Sequence, residues 1–214
     1  MLLAAAALLA GCGGQGTDRS GRDATVAIQG APGAVHAGMY LAVQRGFDQA
    51  EGPTLTLAPT RDAAGALRSG RAQFAVLGLR RFAAVRGLVA VMAVIERPLR
   101  PRPGEPDAPG LVLAVTREEL TDDPATVRGA VAAFQRGYRE AFIDPDSAVS
   151  ALLTAVPRLD RAKTSARLDR LGPAFQGVEP TFGLLDPKAL RRWAAWSHVA
   201  LDLGAFDNRY VTKG

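Results

Sequence analysis

Short apolar segments alternate with helical segments along the first half of the chain, and this alternation limits the possible folds more than any other feature. Strand-length apolar runs lie at 25–29, 54–58, 74–77 and 88–95, and helical periodicity is present at 35–47 and 62–68. Strands that alternate with helices usually form a mostly parallel sheet covered by helices. The sequence therefore predicts an α/β fold with one such sheet.

A proline-rich segment interrupts this alternation. Residues 97–109 contain five prolines, and a further apolar strand follows at 111–115. We expect an N-terminal α/β lobe at 24–96, a Pro/Arg-rich linker at 97–109, and a returning strand with C-terminal helices at 110–214 that pack on the lobe.

Three helices of the C-terminal part are predicted to begin with the same dipeptide. Asp-Pro pairs stand at 123–124, 144–145 and 186–187. An aspartate accepts hydrogen bonds from the free amides of a first helical turn, and the fixed φ of proline suits the first helical position. We expect the last of these helices to continue to Gly204, a typical residue for a helix end.

The N-terminus predicts a location for the protein. An apolar run at 1–11 ends directly before Cys12, the only cysteine, as in a bacterial lipoprotein signal. The alternative is the start of a buried helix with a core cysteine, but Gly-rich, polar sequence follows at once. We expect a signal peptide at 1–11, lipidation at Cys12 and a flexible tether at 12–23. The protein would then be extracytoplasmic and attached to the bacterial cell membrane only through its lipid.

The basic charge balance does not predict nucleic-acid binding. The formal net charge is +5, but only three of the 26 basic residues are lysines. The arginines alternate with Asp and Glu along helical segments, which is typical of solvated helix faces. We therefore expect no nucleic-acid partner.

Signals of catalysis are few. His36 and His198 are the only histidines, and no cluster of Cys, His or carboxylates has the spacing of metal ligands. No nucleophile elbow and no phosphate-binding loop is present. We expect a protein that is not an enzyme and that holds no metal or cofactor.

His36 and Tyr40 are the candidate binding residues. They follow the first predicted strand, where an open α/β sheet presents helix amides to ligands, and their spacing places both on one helix face. In the alternative interpretation His36 caps the helix and Tyr40 packs in the core. Spacing alone leaves both interpretations open.

Longer motifs carry a resemblance to a known family. Residues 35–42 (VHAGMYLA), 67–77 (LRSGRAQFAVL), 89–99 and 109–116 resemble the SsuA/THI5-like, or NMT1-like, substrate-binding proteins of ABC importers. The resemblance covers most of the chain, and its His-x-Gly-x-Tyr element is moderately specific.

The resemblance implies a type II periplasmic-binding-protein fold with the ligand in a cleft. It implies cleft positions for His36 and Tyr40 and for their neighbours Val35 and Gly38, and the next cleft-facing loop contains Gly78 and Leu79. The implied partners are a small-molecule solute, such as a thiamine pyrimidine precursor, and the permease and ATPase subunits of an importer.

One departure from the family bears on function. Family members insert most of their second lobe between the positions of Leu99 and Glu105, where this chain has only the linker. We therefore expect a largely deleted second lobe and impaired ligand binding.

Three alternatives remain. The chain could be an interaction or scaffold lipoprotein, or a truncated family member without function. The third alternative is an enzyme that resembles the eukaryotic branch of the same superfamily, which makes the thiamine pyrimidine. This alternative is less favoured, because that branch has a cysteine-rich iron-binding motif and this chain has one cysteine.

Overall fold

The computed structural model describes residues 22–175 and 181–212. The predicted signal peptide, Cys12 and most of the predicted tether lie outside the described residues. Within those ranges the strands are β1 (Asp23–Gln29), β2 (Thr54–Thr60), β3 (Phe74–Gly78), β4 (Leu88–Ile95) and β5 (Leu111–Thr116). The helices are α1 (Ala37–Gln44), α2 (Phe47–Glu51), α3 (Ala63–Arg68), α4 (Leu79–Ala83), α5 (Arg117–Asp122), α6 (Pro124–Ile143), α7 (Pro145–Ala155), α8 (Arg161–Phe175) and α9 (Pro187–Ser197).

The five strands form one sheet in the order β2-β1-β3-β5-β4. β1 is parallel to β2 and β3, whereas β5 is antiparallel to both β3 and β4. Four strands consequently run in one direction, and β5 alone runs against them. The prediction of an α/β lobe with a mostly parallel sheet is confirmed. The described ranges contain no second sheet, as expected for a single lobe.

Hydrophobic packing occurs on both faces of the sheet. Side chains of α1, α6, α7 and α8 pack on one face, and those of α3, α4 and α9 pack on the other. Every residue of β4 is buried because helices cover both of its faces, which explains its continuous apolar sequence. The sheet thereby provides a rigid platform whose carboxyl edge carries the loops.

The three Asp-Pro helix starts are confirmed. The Asp123 carboxylate accepts from the Thr126 N–H at 3.0 Å, and Asp144 accepts from the Ser147 N–H at 3.0 Å. Asp186 accepts from the N–H groups of Lys188 and Ala189. Each aspartate thus satisfies amides that the helix itself leaves free.

Two predicted helix boundaries were wrong. The segment predicted as one helix at 35–47 is divided into a 3-10 turn at Ala34–His36, α1 and α2. The division between α1 and α2 lies at Gly46, which has a left-handed backbone with φ 66°. The last helix ends at Ser197, not at Gly204, because His198 adopts the left-handed conformation with φ 55°. The chain then turns back to β4, where the Asp207 N–H donates to the Ala90 carbonyl at 2.9 Å.

α1 and α6 approach each other closely through two glycines. A Cβ on Gly38 would lie 2.5–2.9 Å from three ring carbons of Tyr138, and a Cβ on Gly137 would collide with the backbone of Gly38. The buried Tyr138 ring therefore fills the space that Gly38 leaves open. Its hydroxyl reaches past α1 and donates to the Val35 carbonyl at 2.8 Å.

No helix in the described ranges has the length and apolar character needed to cross a membrane.

We predict that Gly38→Ala lowers the free energy of unfolding by about 1–3 kcal/mol, because the added methyl group must displace the Tyr138 ring. Urea unfolding measures the change. Gly33→Ala is the matched control, since a Cβ on Gly33 meets no atom within 4 Å and its change should stay within about 0.5 kcal/mol. Equal changes in the two variants would contradict the packing role of Gly38.

Candidate functional site

The carboxyl ends of β1, β3 and β4 meet at one edge of the sheet, and two neighbouring grooves open there. In open α/β sheets ligands bind outside this edge. The larger groove has a volume of about 950 Å³. It is lined by Ala31, Pro32, Gly33, Ala34, Val35, His36, Leu99, Arg100, Arg158, Leu159, Asp160, Lys163, Thr164, Arg167, Arg170 and Leu171.

The smaller groove has a volume of about 240 Å³ and contains Gly78 and Leu79. Gly78 precedes α4, and the Leu79 side chain is buried in the core. Arg80 extends over the Trp193 ring, with its guanidinium carbon 5.6 Å from the ring centroid. Leu99 and Arg100 line both grooves, so they separate one from the other.

The first wall of the larger groove is the loop at 31–36. Its last turn is closed by two hydrogen bonds, from the His36 N–H to the Gly33 carbonyl at 2.8 Å and from the Gly33 N–H to Nδ1 of His36 at 3.2 Å. Tyr138 holds the same loop through Val35. Backbone hydrogen bonds and a buried phenol therefore fix this wall before any ligand binds.

His36 lines the groove but is itself largely buried. Burial lowers the pKa of His36 to about 4, so the imidazole is neutral at neutral pH. Because Nδ1 accepts from the Gly33 N–H, the His36 side chain closes the 3-10 turn at Ala34–His36. It does not make the side-chain cap to α1 that the alternative interpretation proposed. Closing the turn does not remove it from the groove wall.

The structure separates the other predicted binding residues. Val35 lines the larger groove, and Gly78 and Leu79 line the smaller one. Tyr40 packs in the core, where burial raises the pKa of its phenol, and it lines neither groove. Gly38 likewise contacts the Tyr138 ring rather than either groove.

The opposite wall is α8 with the turn before it, and it is strongly cationic. Lys163, Arg167 and Arg170 are exposed on one face of α8, and Arg158 and Arg100 add two further positive charges. In the described part of the chain none of these five side chains forms a salt bridge.

Among the described residues, Asp160 is the only carboxylate that lines this groove. Its Oδ1 accepts from the Lys163 N–H at 2.8 Å and so caps the first turn of α8. With a single acidic side chain against five cationic ones, the groove has a positive potential.

The predicted linker segment forms the partition between the grooves. The N–H groups of Glu96 and Arg97 both donate to the Ala174 carbonyl, at 3.0 and 3.1 Å, near the end of α8. Further along, the indole N–H of Trp193 donates to Glu105 at 3.3 Å. These contacts fix the segment that carries Leu99 and Arg100.

Sequence reasoning missed the α8 wall because its arginines were interpreted as a solvated helix face. One signal was present. Lys163, Arg167 and Arg170 follow each other at intervals of four and three, and no acidic residue stands three or four positions from Arg167 or Arg170. A helix face that is stabilised by ion pairs would place carboxylates there.

Among the described residues, no three His, Cys, Asp or Glu side chains come together in a way that could hold a metal ion.

The sequence matches no protein-family model and no curated protein sequence. Solved structures are nevertheless similar in fold. A conserved gene product of Candida albicans, described as having the generic periplasmic binding protein fold, has a TM-score of 0.61 at 8% identity, and the match covers 90% of this chain and 98% of that one.

Two similar structures are bacterial binding proteins. The ligand-binding component of an ABC-type import system from Staphylococcus aureus, with zinc bound, has a TM-score of 0.60 at 12% identity, with 87% of this chain and 96% of that one covered. The alkanesulfonate-binding protein SsuA from Xanthomonas axonopodis pv. citri has a TM-score of 0.57 at 11% identity, with 82% and 91% covered. This chain therefore has the periplasmic binding protein fold.

We predict that His36 makes the folded protein sensitive to acid. Its pKa is lowered from 6.5 to about 4 in the folded state, so the unfolded chain binds more protons between these values and stability falls as the pH is lowered through this range. The full loss is up to about 3 kcal/mol. Urea unfolding at a series of pH values measures it.

His36→Gln should flatten this pH dependence between pH 6.5 and about 4. His198→Asn is the control, because His198 is exposed on the surface and its replacement should leave the slope as it is. A His36→Gln protein with an unchanged slope would contradict the prediction.

Proposed function

We propose that this chain is the extracytoplasmic solute-binding component of an ABC importer, and that its solute binds in the larger groove. The observation that carries the proposal is the position of that groove. It lies at the carboxyl edge of a periplasmic-binding-protein sheet, between the fixed loop at 31–36 and α8.

In this proposal Val35 and His36 contact the solute directly. Gly38 acts indirectly, since it makes room for the Tyr138 ring that holds Val35 in place, and Tyr40 supports the same helix from the core. Gly78 and Leu79 line the neighbouring smaller groove, which in this proposal extends the binding surface.

The finer parts of the proposal rest on the family resemblance of the sequence. They are the assignment to the SsuA/THI5-like proteins, a thiamine pyrimidine precursor or related small solute as cargo, the permease and ATPase as partners, and the lipid anchor on Cys12. Solved binding proteins of ABC import systems with the same fold support the general role.

In this proposal the second lobe is largely deleted and the groove has walls from one lobe only, as the described residues with their single sheet support. A typical pocket buries roughly 70–90% of a small ligand, whereas a ligand in this groove keeps one side in solvent. We therefore expect weak binding, as the prediction of a largely deleted second lobe also implies.

The charge of the site favours a solute over a protein partner. A scaffold role would be favoured by an exposed apolar surface at this edge. Of the large apolar side chains exposed in the described ranges, Leu99 lines the grooves, but Phe142, Ile143 and Leu203 do not. The edge is mainly cationic rather than apolar.

We predict that isothermal titration with an aminopyrimidine precursor and with an alkanesulfonate detects binding of at least one solute, with a dissociation constant weaker than about 1 µM. Ala31→Trp should abolish this binding, because Ala31 lines the groove and an indole would fill it.

Ala50→Trp is the matched control, since Ala50 is also exposed but lies on α2, outside both grooves. Binding that Ala31→Trp leaves intact would exclude this groove as the solute site. Micromolar or tighter binding would refute the expected loss of affinity.

A further inference from the structure

The two walls of the larger groove differ in chemistry. The loop at 31–36 contributes the apolar side chains of Ala31, Pro32, Ala34 and Val35, and Leu99, Leu159 and Leu171 extend this apolar surface. The other wall carries Lys163, Arg167 and Arg170 of α8 together with Arg158, and Arg100 of the segment between the grooves adds a further positive charge. A ligand that matches both walls has an apolar body and a strongly negative end.

We propose that the groove selects organic phosphates, and that Arg167 and Arg170 of α8 bind the phosphate group. This inference deepens the proposed function, on which it rests, by naming the chemical class of the solute.

The number of cations favours a phosphate over a singly charged anion. Among the described residues of the groove, five cationic side chains stand against one carboxylate, which already caps α8. The guanidinium group binds phosphate oxygens through two parallel hydrogen bonds. A phosphate monoester carries nearly two negative charges at neutral pH, so it gains more from several cations than a sulfonate does.

The availability of the cations is the second argument. In the described part of the chain the side chains of Arg167 and Arg170 have no salt bridge and no hydrogen bond to another residue. Some other arginines are engaged, as Arg22 is with Asp123 at 2.8 Å and Arg209 with Asp207 at 2.6 Å. A ligand therefore need not break an existing ion pair to bind α8.

The shape of the groove favours a solute over a membrane surface. The cations of α8 face a cavity of about 950 Å³ that is closed on the other side by the loop at 31–36 and by Leu99. This volume suits a small organic molecule, whereas a flat lipid surface contacts protruding side chains.

Titration calorimetry with two probes of similar size tests the proposal. Phenyl phosphate has two negative charges at pH 7.5 and benzenesulfonate has one, and both have the same apolar ring. We expect phenyl phosphate to bind about tenfold more tightly, and we expect this preference to weaken at high salt. Equal affinity for the two probes would overturn the proposal.

The double variant R167A/R170A should remove the preference and weaken phenyl phosphate binding by about tenfold or more. R191A/R192A is the matched control, because it removes the same charge from exposed positions of α9 that line neither groove. Circular dichroism confirms that both variants fold. An equal loss in the two variants would show a general charge effect and would overturn the α8 site.

Two further arms separate the possible failures. In the first, the wild type binds phosphatidylglycerol vesicles, R167A/R170A does not, and neither protein binds phenyl phosphate. This result would assign the cations to a membrane and overturn the proposal. In the second, the wild type binds an aminopyrimidine but not phenyl phosphate, and Ala31→Trp abolishes the aminopyrimidine binding. This result would leave the proposed function intact and overturn this inference alone. Phenyl phosphate binding that depends on α8 but is unaffected by Ala31→Trp would uphold the α8 site and contradict the groove assigned to the solute.

Discussion

The hydroxyl of Tyr138 donates to the carbonyl of Val35, and this hydrogen bond connects the longest helix of the structure to the loop that forms one wall of the groove. The bond is possible only because Gly38 has no side chain where the phenol ring crosses α1. The ring is also packed against Phe175, with centroids 5.4 Å apart, at the end of α8. One buried side chain therefore contacts elements that carry both walls of the groove, and their separation depends on it.

The spacing of the His-x-Gly-x-Tyr element suggests two ligand-binding side chains on one helix face, but in the structure its residues have mainly packing and turn-closing roles. The histidine closes the loop by accepting from Gly33, the glycine admits a ring from another helix, and the tyrosine fills the core. Only His36 of the three lines the groove. The element contributes to binding mainly by fixing the shape of a loop whose backbone and apolar side chains face the ligand.

Features of the fold that depend on residues close together in the chain were predictable from the sequence. The extent of β4 was predicted correctly because eight consecutive apolar residues permit little else, and the Asp-Pro pairs identified three helix starts because capping needs only neighbouring atoms. The end of α9 at Ser197 could not be predicted in this way. His198 adopts a left-handed conformation there, and the chain then leaves the helix to reach β4, a partner distant in sequence.

The same distinction applies to the site. The loop at 31–36 was found from its position after the first strand, but its opposite wall comes from α8, more than a hundred residues later. Which face of α8 meets the loop depends on tertiary packing, so the significance of Arg167 and Arg170 could not be read from periodicity alone. The absence of acidic residues three or four positions from either arginine was the only local sign.

The place of β5 in the sheet has a consequence for how the chain folds. β5 lies between β3 and β4, so β4 is hydrogen-bonded to the sheet through β5 and not through another parallel strand. On its other side β4 forms one isolated bridge, between Ala90 and Phe206. A fragment ending at residue 96 would retain β4 without its neighbouring strand and would expose a wholly apolar edge. The N-terminal segment is therefore not an autonomous folding unit. Until residues 111–116 pair with it, its last strand has an unpaired apolar edge, a typical site of aggregation.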